Sequence, residues 1–248
     1  MFWLAGLFAI VALVYASVGF GGGSTYSALL ALTGVDFKLV PVIALLCNII
    51  VVTGGTIRFI RAGLIDWRQV LPLVAVSAPL AFVGGLIPLK QSVFYLLLGG
   101  GLLISSAVLL IRVESFAGKR LPQPALLAIS GVVGLLAGLS GIGGGIFMSP
   151  VLHLVRWADA RRIAAFASLY ILINSITGVA GQLVKAGPIS LLNPAADYWP
   201  LMVGVLIGGQ VGSYLGLKLM SPVWLRRLTA LLVGYVAIRL LWQGYNLL

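Results

Sequence analysis

Acidic side chains are scarce in this sequence, which has five Asp and Glu residues against sixteen Lys and Arg. The acids lie in loops or at the ends of apolar runs, at Asp36, Asp66, Glu114, Asp159 and Asp197. Proton relays and many ion-coupled sites use a carboxylate within a membrane span. The sequence therefore argues against an acid-driven antiporter and against a cation carrier.

Cysteine and histidine are nearly absent as well, since Cys47 and His153 are each the only residue of their type. A single cysteine cannot form an internal disulfide, and no metal-ligand spacing surrounds it. Enzymatic hydrolysis or transfer needs a nucleophile with a base, or a metal ion. We therefore expect no metal and no cofactor, and an intramembrane enzyme is a minor alternative.

Charged residues of either sign make up only 8% of the chain, and 61% of its residues are hydrophobic. A soluble domain carries about 25% charged residues. Apolar runs of about 20 residues are long enough to cross a bilayer as helices. The sequence thus predicts an all-α polytopic membrane protein, in which the first run, Phe2–Val18, is part of the fold rather than a signal peptide.

The net charge of +11 comes from basic residues in short loops beside these apolar runs. Basic loops in this position orient a membrane protein and contact anionic lipid headgroups. We interpret the charge in this way, with the lipid bilayer as partner, and expect no nucleic-acid partner.

Glycine is concentrated in two clusters, Gly19-Phe20-Gly21-Gly22-Gly23 and Gly141-Ile142-Gly143-Gly144-Gly145. Each cluster follows an apolar run and precedes a run too short to cross a bilayer, 26–32 and 146–155. Glycine breaks helices, and a break inside a membrane must give its backbone groups other partners. Matching breaks in two halves of a transporter point to the substrate site.

The basic residues favour a reversal of the chain at each glycine cluster. If both clusters lay inside straight helices, each side of the membrane would hold eight of the sixteen basic residues. If each cluster turns the chain back, one side holds twelve, and the other holds only Lys38, Lys90, Lys185 and Arg239. Cytoplasmic loops carry an excess of Lys and Arg. The sequence thus predicts two re-entrant hairpins, with both termini outside.

The chain then divides into two inverted repeats, 1–120 and 121–248, because a hairpin plus three crossings reverses the entry side of the second half. The first repeat is predicted as hairpin 2–34 and helices 39–60, 70–89 and 93–111. The second is predicted as hairpin 124–155 and helices 163–184, 199–219 and 228–245. Asn48 and Asn174 lie at corresponding mid-helix positions, and a glycine follows seven residues after each.

Paired GxGGG motifs, each after an apolar helix, in a short basic protein resemble the TauE/SafE family of anion transporters. The resemblance covers essentially the whole chain. It implies export or uptake of sulfite, sulfoacetate or other small organosulfur anions across a bacterial inner membrane by alternating access. It does not say which anion moves. An anion channel on the same fold is the main alternative, and the sequence leaves homo-oligomerisation open.

The candidate anion site lies where a helix starts after each glycine cluster. The first amides of a helix have no intrahelical partner and carry the positive end of its dipole, so they bind anions without a charged side chain. The predicted donors are the amides of Gly22, Gly23, Ser24 and Thr25, and those of Gly144, Gly145 and Ile146. The alternative is that these glycines only permit close helix packing.

Asn48 and Asn174 are the candidate side chains, because an amide can donate to an oxyanion. Gln182 is a weaker candidate on the same helix as Asn174, together with Thr53 and Thr177. The alternative for the asparagines is a hydrogen bond that only stabilises the bundle. For the threonines it is a bond to their own helix backbone.

Overall fold

The computed structural model describes residues 1–17, 19–110, 121–215 and 222–248. These residues form eleven α-helices and no strand, which confirms the all-α prediction. The helices are α1 (Phe2–Ala16), α2 (Gly23–Leu32), α3 (Val40–Arg61), α4 (Trp67–Leu86), α5 (Gln91–Leu110), α6 (Gln123–Ser140), α7 (Gly145–Leu154), α8 (Ala160–Ala186), α9 (Pro188–Ala196), α10 (Trp199–Leu215) and α11 (Pro222–Asn246). Within the described ranges, α3, α4, α6 and α8 are long and apolar enough to cross a membrane.

Both glycine clusters interrupt the helices where the sequence predicts a break. We call residues 19–22 the first glycine turn and residues 141–144 the second. Gly22, which precedes α2, has φ 86°, and Gly144, which precedes α7, has φ 80°. Only glycine adopts these left-handed angles at little cost.

The chain reverses its direction at the second glycine turn. Gln123 and Leu126, at the start of α6, line one cavity of about 240 Å³ with Trp157, which follows α7. The start of α6 and the end of α7 therefore lie at the same end of the bundle.

The first glycine turn reverses the chain in the same way. Helix α1 runs parallel to α10, because Ala5 lies against Gly204 and Leu13 lies against Gly212. Helix α10 starts directly after α9, and Leu191 of α9 shares a cavity with Phe37, which follows α2. The start of α1 and the end of α2 therefore lie at one end.

The two ends of the bundle differ in their basic residues. The arginine end comprises loops 62–66 and 155–159 with the start of α6, and it carries Arg61, Arg68, Arg156, Arg161 and Arg162. The lysine end comprises loops 33–39 and 87–90 with the end of α8 and α9, and it carries Lys38, Lys90 and Lys185. This grouping is the one that the hairpin prediction requires. Loops 111–120 and 216–221, which that prediction assigns to the arginine end, lie outside the described residues.

The helices pack in pairs that cross between the two halves of the chain. Helix α1 packs along α10, α4 along α6, α5 along α11, and α3 against α8. Glycines such as Gly138 and Gly208 lie directly on the backbone of the neighbouring helix, as in small-residue packing of membrane helices. A two-fold relation between the halves would produce this pairing. The inverted repeat and its division at residue 120 stay predictions.

Helices α4 and α8 start three residues earlier than predicted, since an aspartate caps each of them. Asp66 accepts a hydrogen bond from the amide of Arg68 at 3.1 Å, and Asp159 accepts one from the amide of Arg162 at 3.0 Å. Aspartate is a preferred N-cap residue because its carboxylate takes up a free amide. The apolar runs alone did not include these polar first turns.

The sequence analysis also missed helix α9. It starts at Pro188 after Gly187, which has φ 83°, and proline is favoured at a first helical position. Leu191 and Ala195, one turn apart, are its buried residues. Helix α9 is short and half-exposed, so it carries no long apolar run.

Candidate functional site

The two glycine turns meet at the side chain of Asn48. A Cβ atom at Gly21 or Gly23 would overlap the amide of Asn48. From the second turn, the carbonyl of Ile142 accepts a hydrogen bond from Asn48 Nδ2 at 3.3 Å. A Cβ atom at Gly143 would lie 2.8 Å from the same nitrogen. We call this meeting point, where Asn48 is fully buried, the junction.

Several polar atoms around the junction are buried without a hydrogen-bond partner. At the junction they are Asn48 Oδ1, the hydroxyl of Ser175 and the hydroxyl of Tyr26, and both amide atoms of Asn174, which precedes Ser175 on α8, also have no partner. A buried polar group without a partner costs about 1–3 kcal/mol. A polar ligand that satisfied these atoms would recover that free energy.

Both of these hydroxyls, of Ser175 and of Tyr26, lie close to the glycine turns. A Cβ atom at Gly143 would lie 3.2 Å from Ser175 Oγ, and one at Gly22 would lie 2.9 Å from the Tyr26 hydroxyl oxygen. The sequence analysis singled out neither Ser175 nor Tyr26. The signals that could have identified them are the position of Ser175 beside a mid-membrane asparagine and that of Tyr26 three residues after a glycine cluster.

The helix starts at the junction retain free amides. No side chain caps α2 or α7. The amide of Thr25 donates to the carbonyl of Gly22 at 3.0 Å, so this predicted anion donor is already engaged. Among the described hydrogen bonds, none uses the amides of Gly23, Ser24, Gly145 or Ile146. The positive ends of two helix dipoles therefore lie beside the unpartnered side chains.

The donors at the junction are neutral groups. In the described part of the chain, no cluster of three His, Cys, Asp or Glu side chains could hold a metal ion. Amides, hydroxyls and helix N-termini bind oxyanions by hydrogen bonds and dipoles. The free amides and hydroxyls can therefore donate to an oxyanion, whereas Asn48 Oδ1 and Asn174 Oδ1 accept and would need a proton of the ligand.

Asn174 is buried on α8 next to Ser175, and neither of its amide atoms has a partner. The nearby hydroxyl of Tyr170, one turn earlier on α8, donates instead to the carbonyl of Ser130 at 2.8 Å. The atoms nearest to a Cβ at Gly143 belong to Asn48, Ile171 and Ser175. The described contacts thus connect α8 to the second turn through Ser175, beside the predicted Asn174.

Gln182 lies away from the junction, eight residues after Asn174 on α8. At 1.5 Å per residue the two lie about 12 Å apart along the helix axis. Its Nε2 donates to the carbonyl of Gly138 at 3.0 Å, and its Oε1 accepts a hydrogen bond from Lys185 Nζ at 2.5 Å. Both ends of this amide have protein partners, so its predicted role at the hairpin tips finds no support in these contacts. Thr53 and Thr177 bond the backbone of their own helices, to Ile49 and Ile173.

Hydrogen bonds tie α3 to its neighbours towards the arginine end. The hydroxyls of Thr56 and Ser168 lie 2.9 Å apart, which connects α3 to α8. Arg58 Nη2 donates to Gln210 Oε1 at 2.5 Å, which connects α3 to α10. On this side of the junction, α3 is therefore bonded to both α8 and α10.

Comparison with known proteins gives a family match and three relatives. The family profile described as "Sulfite exporter TauE/SafE" matches residues 4–240. A "Probable membrane transporter protein y4hK" of Sinorhizobium fredii is 31% identical, covering 96% of this chain and 97% of its own length. A "Probable membrane transporter protein" of Haemophilus influenzae is 30% identical over 42% of this chain and 41% of its own length.

A more distant relative, "Probable membrane transporter protein MamO" of Magnetospirillum gryphiswaldense, is 23% identical over 88% of this chain and 40% of its own length. No solved structure matches the chain. The family match spans nearly the whole sequence, and the relatives are named as membrane transporters rather than as enzymes. The chain is an integral membrane transporter that belongs to the sulfite exporter TauE/SafE family.

Proposed function

We propose that this protein transports small oxyanions, with sulfite and organosulfonates such as sulfoacetate as its substrates, by alternating access. The observation that carries the proposal is the junction, where two helix starts with free amides meet buried polar atoms that have no partner. The family description as sulfite exporters supports the choice of anion.

The donors of the junction match the acceptors of a sulfur oxyanion. Asn48 Nδ2 has two hydrogens and uses one for Ile142, so the second can donate to the anion. The amides of Gly23, Ser24, Gly145 and Ile146 supply further donors from opposite sides. The hydroxyl of Ser175 adds another. Hydrogen bonds to a charged partner contribute about 1.5–3 kcal/mol each, which is enough to hold an anion without a cationic side chain.

Alternating access is supported by how the two ends of the bundle differ next to α3. The cavity of about 240 Å³ at the arginine end is lined by α4, the start of α6 and Trp157, and no residue of α3 lines it. A cavity of about 220 Å³ opens at the lysine end and reaches Gln182 and Leu139. Towards the arginine end, the bonds of Thr56 with Ser168 and of Arg58 with Gln210 close the helices around α3. We propose that these bonds break when the opposite cavity closes.

We propose further that the arginine end is cytoplasmic, since cytoplasmic loops carry the excess of basic residues. Both termini then lie outside the bacterial inner membrane. In this arrangement the two halves, 1–120 and 121–248, are inverted repeats, and each contributes one glycine turn to the junction.

The test is transport by purified protein in proteoliposomes, with sulfite, sulfoacetate, sulfate, taurine and simple carboxylates as candidates. We expect uptake of sulfite or an organosulfonate, and counterflow when unlabelled substrate is trapped inside. Asn48→Leu should lose this activity, whereas Asn193→Leu, at an exposed position on α9, should keep it. Uptake without counterflow would indicate a channel, and no flux of any of the anions would refute the proposal.

A further inference from the structure

The cavity at the lysine end, which we call the lysine-end cavity, holds two lysines. Its volume is about 220 Å³. Among its lining residues are Phe37, Lys38, Pro41, Leu139, Gln182 and Lys185. No acidic residue lines it. Among the described residues, the ion pair is that of Arg162 with Asp159 at the opposite end, so the charge of these two lysines is not neutralised by a bridge.

Lys185 lines this cavity with an exposed side chain, and hydrogen bonds hold its ammonium in the cavity wall. Its Nζ donates to Gln182 Oε1 at 2.5 Å and to the carbonyl of Ile87 at 3.4 Å. A lysine ammonium has three hydrogens, so one donor is left for a ligand. Both protein partners are neutral oxygens, so neither offsets the charge of the ammonium.

The wall of the cavity is continuous with the second glycine turn. Gln182, which holds Lys185, also donates to the carbonyl of Gly138 at 3.0 Å, three residues before the turn. Pro41 lines the cavity and also touches the turn, since a Cβ at Gly141 would lie 2.6 Å from Pro41 Cα. Pro41 and Gln182 therefore connect the wall of the cavity to the second glycine turn and to the end of α6 before it.

We propose that the lysine-end cavity is a second anion subsite, in which Lys185 binds a small oxyanion on its way to or from the junction. Lys38, which also lines the cavity, adds a second positive charge. Gln182 links the subsite to the second glycine turn, which gives this residue a role different from direct binding at the hairpin tips. The identity of the anion rests on the proposed function, but the presence of the subsite does not.

The test uses the reactivity of a cysteine towards charged reagents to report the electrostatic potential of the cavity. It does not depend on transport. Ala186, which lines the cavity and is exposed, is replaced by cysteine in a Cys47→Ala background. The rates of modification by an anionic methanethiosulfonate, the sulfonatoethyl reagent, and by the cationic trimethylammonioethyl reagent are then compared. One unit charge at about 7 Å in water changes each rate about threefold, in opposite directions.

We therefore expect Lys185→Gln to lower the ratio of anionic to cationic rates by about fivefold to tenfold. The matched control is Lys90→Gln, because Lys90 is an exposed lysine at the same end that does not line the cavity. This control and Lys185→Arg should keep the wild-type ratio. An unchanged ratio in Lys185→Gln, or an equal decrease in Lys90→Gln, would overturn the proposal.

A second measurement asks whether the subsite takes the proposed substrate. Sulfoacetate should slow the modification of the cysteine at position 186 in the otherwise wild-type protein and should not do so in Lys185→Gln. Equal protection in both would show that sulfoacetate binds without Lys185 and would contradict the assignment. If the rate ratio depends on Lys185 but proteoliposomes transport none of the anions, the subsite stands and the proposed function fails.

Discussion

Gly23→Ala adds a methyl group beside Asn48 and should weaken the binding of an anion at the junction. In the structure, a Cβ at this position overlaps Asn48 Nδ2 and lies 2.8 Å from the carbonyl oxygen of Ile142. Gly23 is the first residue of α2 and does not have a positive φ. The cost of Gly23→Ala is therefore steric, and the amide of Asn48 has to move.

The expected losses of stability and of sulfite affinity follow from the hydrogen bonds of Asn48 that are broken. Displacing its amide breaks the 3.3 Å bond to Ile142 and leaves a buried carbonyl without a partner, which costs about 1–3 kcal/mol of stability. The anion loses a charge-assisted hydrogen bond worth about 1.5–3 kcal/mol. Since about 1.4 kcal/mol is a factor of ten in affinity, we expect sulfite to bind about tenfold to a hundredfold more weakly.

The assay is equilibrium binding of sulfite to purified protein, together with thermal unfolding to confirm the fold. Gly100→Ala is the matched control, because a Cβ there meets nothing within 4 Å, and it should bind as the wild type does. Adding Asn48→Ala to Gly23→Ala removes the overlap with the amide, but the Ile142 carbonyl stays unpaired and 2.8 Å from the new Cβ, so neither binding nor full stability should return. Wild-type affinity in Gly23→Ala would refute the reasoning, whatever its stability.

Three further predictions concern Asn174, Tyr170 and the reversal of the chain at the second glycine turn. Asn174→Leu removes two buried atoms without partners, so stability should hold while sulfite affinity falls about tenfold; unchanged binding would make Asn174 a packing residue. Tyr170→Phe removes a hydroxyl bonded to the α6 backbone at 2.8 Å, so stability should fall by about 1 kcal/mol in thermal unfolding while affinity is kept; an equally stable variant would contradict this. Single cysteines at Gln123 and Asp159, in a cysteine-free background, should react from the same side of the membrane and one at Ala186 from the other; labelling of the first two from opposite sides would exclude the reversal at the second glycine turn.

The breaks in the helices could be predicted because glycine clusters and long apolar runs are local signals. The reversal of the chain was predictable from the distribution of lysine and arginine, which is a property of the whole sequence. Asn48 could be identified as a candidate because an amide in the middle of an apolar helix requires partners. Its contact with both glycine turns depends on tertiary packing and is visible only in the structure.

Other features had weaker signals or depend on three-dimensional contacts. Gln182 has the residue type and helix of a tip residue, but its distance along α8 places it in the wall of the lysine-end cavity. The partners of Thr25 were not predictable, since its amide bonds Gly22 and its hydroxyl lies 3.0 Å from that of Tyr15. Ser175 and Tyr26 had only weak signals in the sequence, and their burial without a partner is visible only in the structure.

The central claim is that the substrate anion is held where the two glycine turns meet. Selenite, the heavier analogue of sulfite, scatters X-rays anomalously and can be located in crystals of the protein soaked or grown with it. We predict an anomalous peak within about 3–4 Å of Asn48 Nδ2 and of the amides of Gly23 and Gly145, given the usual length of hydrogen bonds to an oxyanion. A saturating soak that leaves the junction empty, with selenite bound only beside Lys185 or elsewhere, would contradict the account.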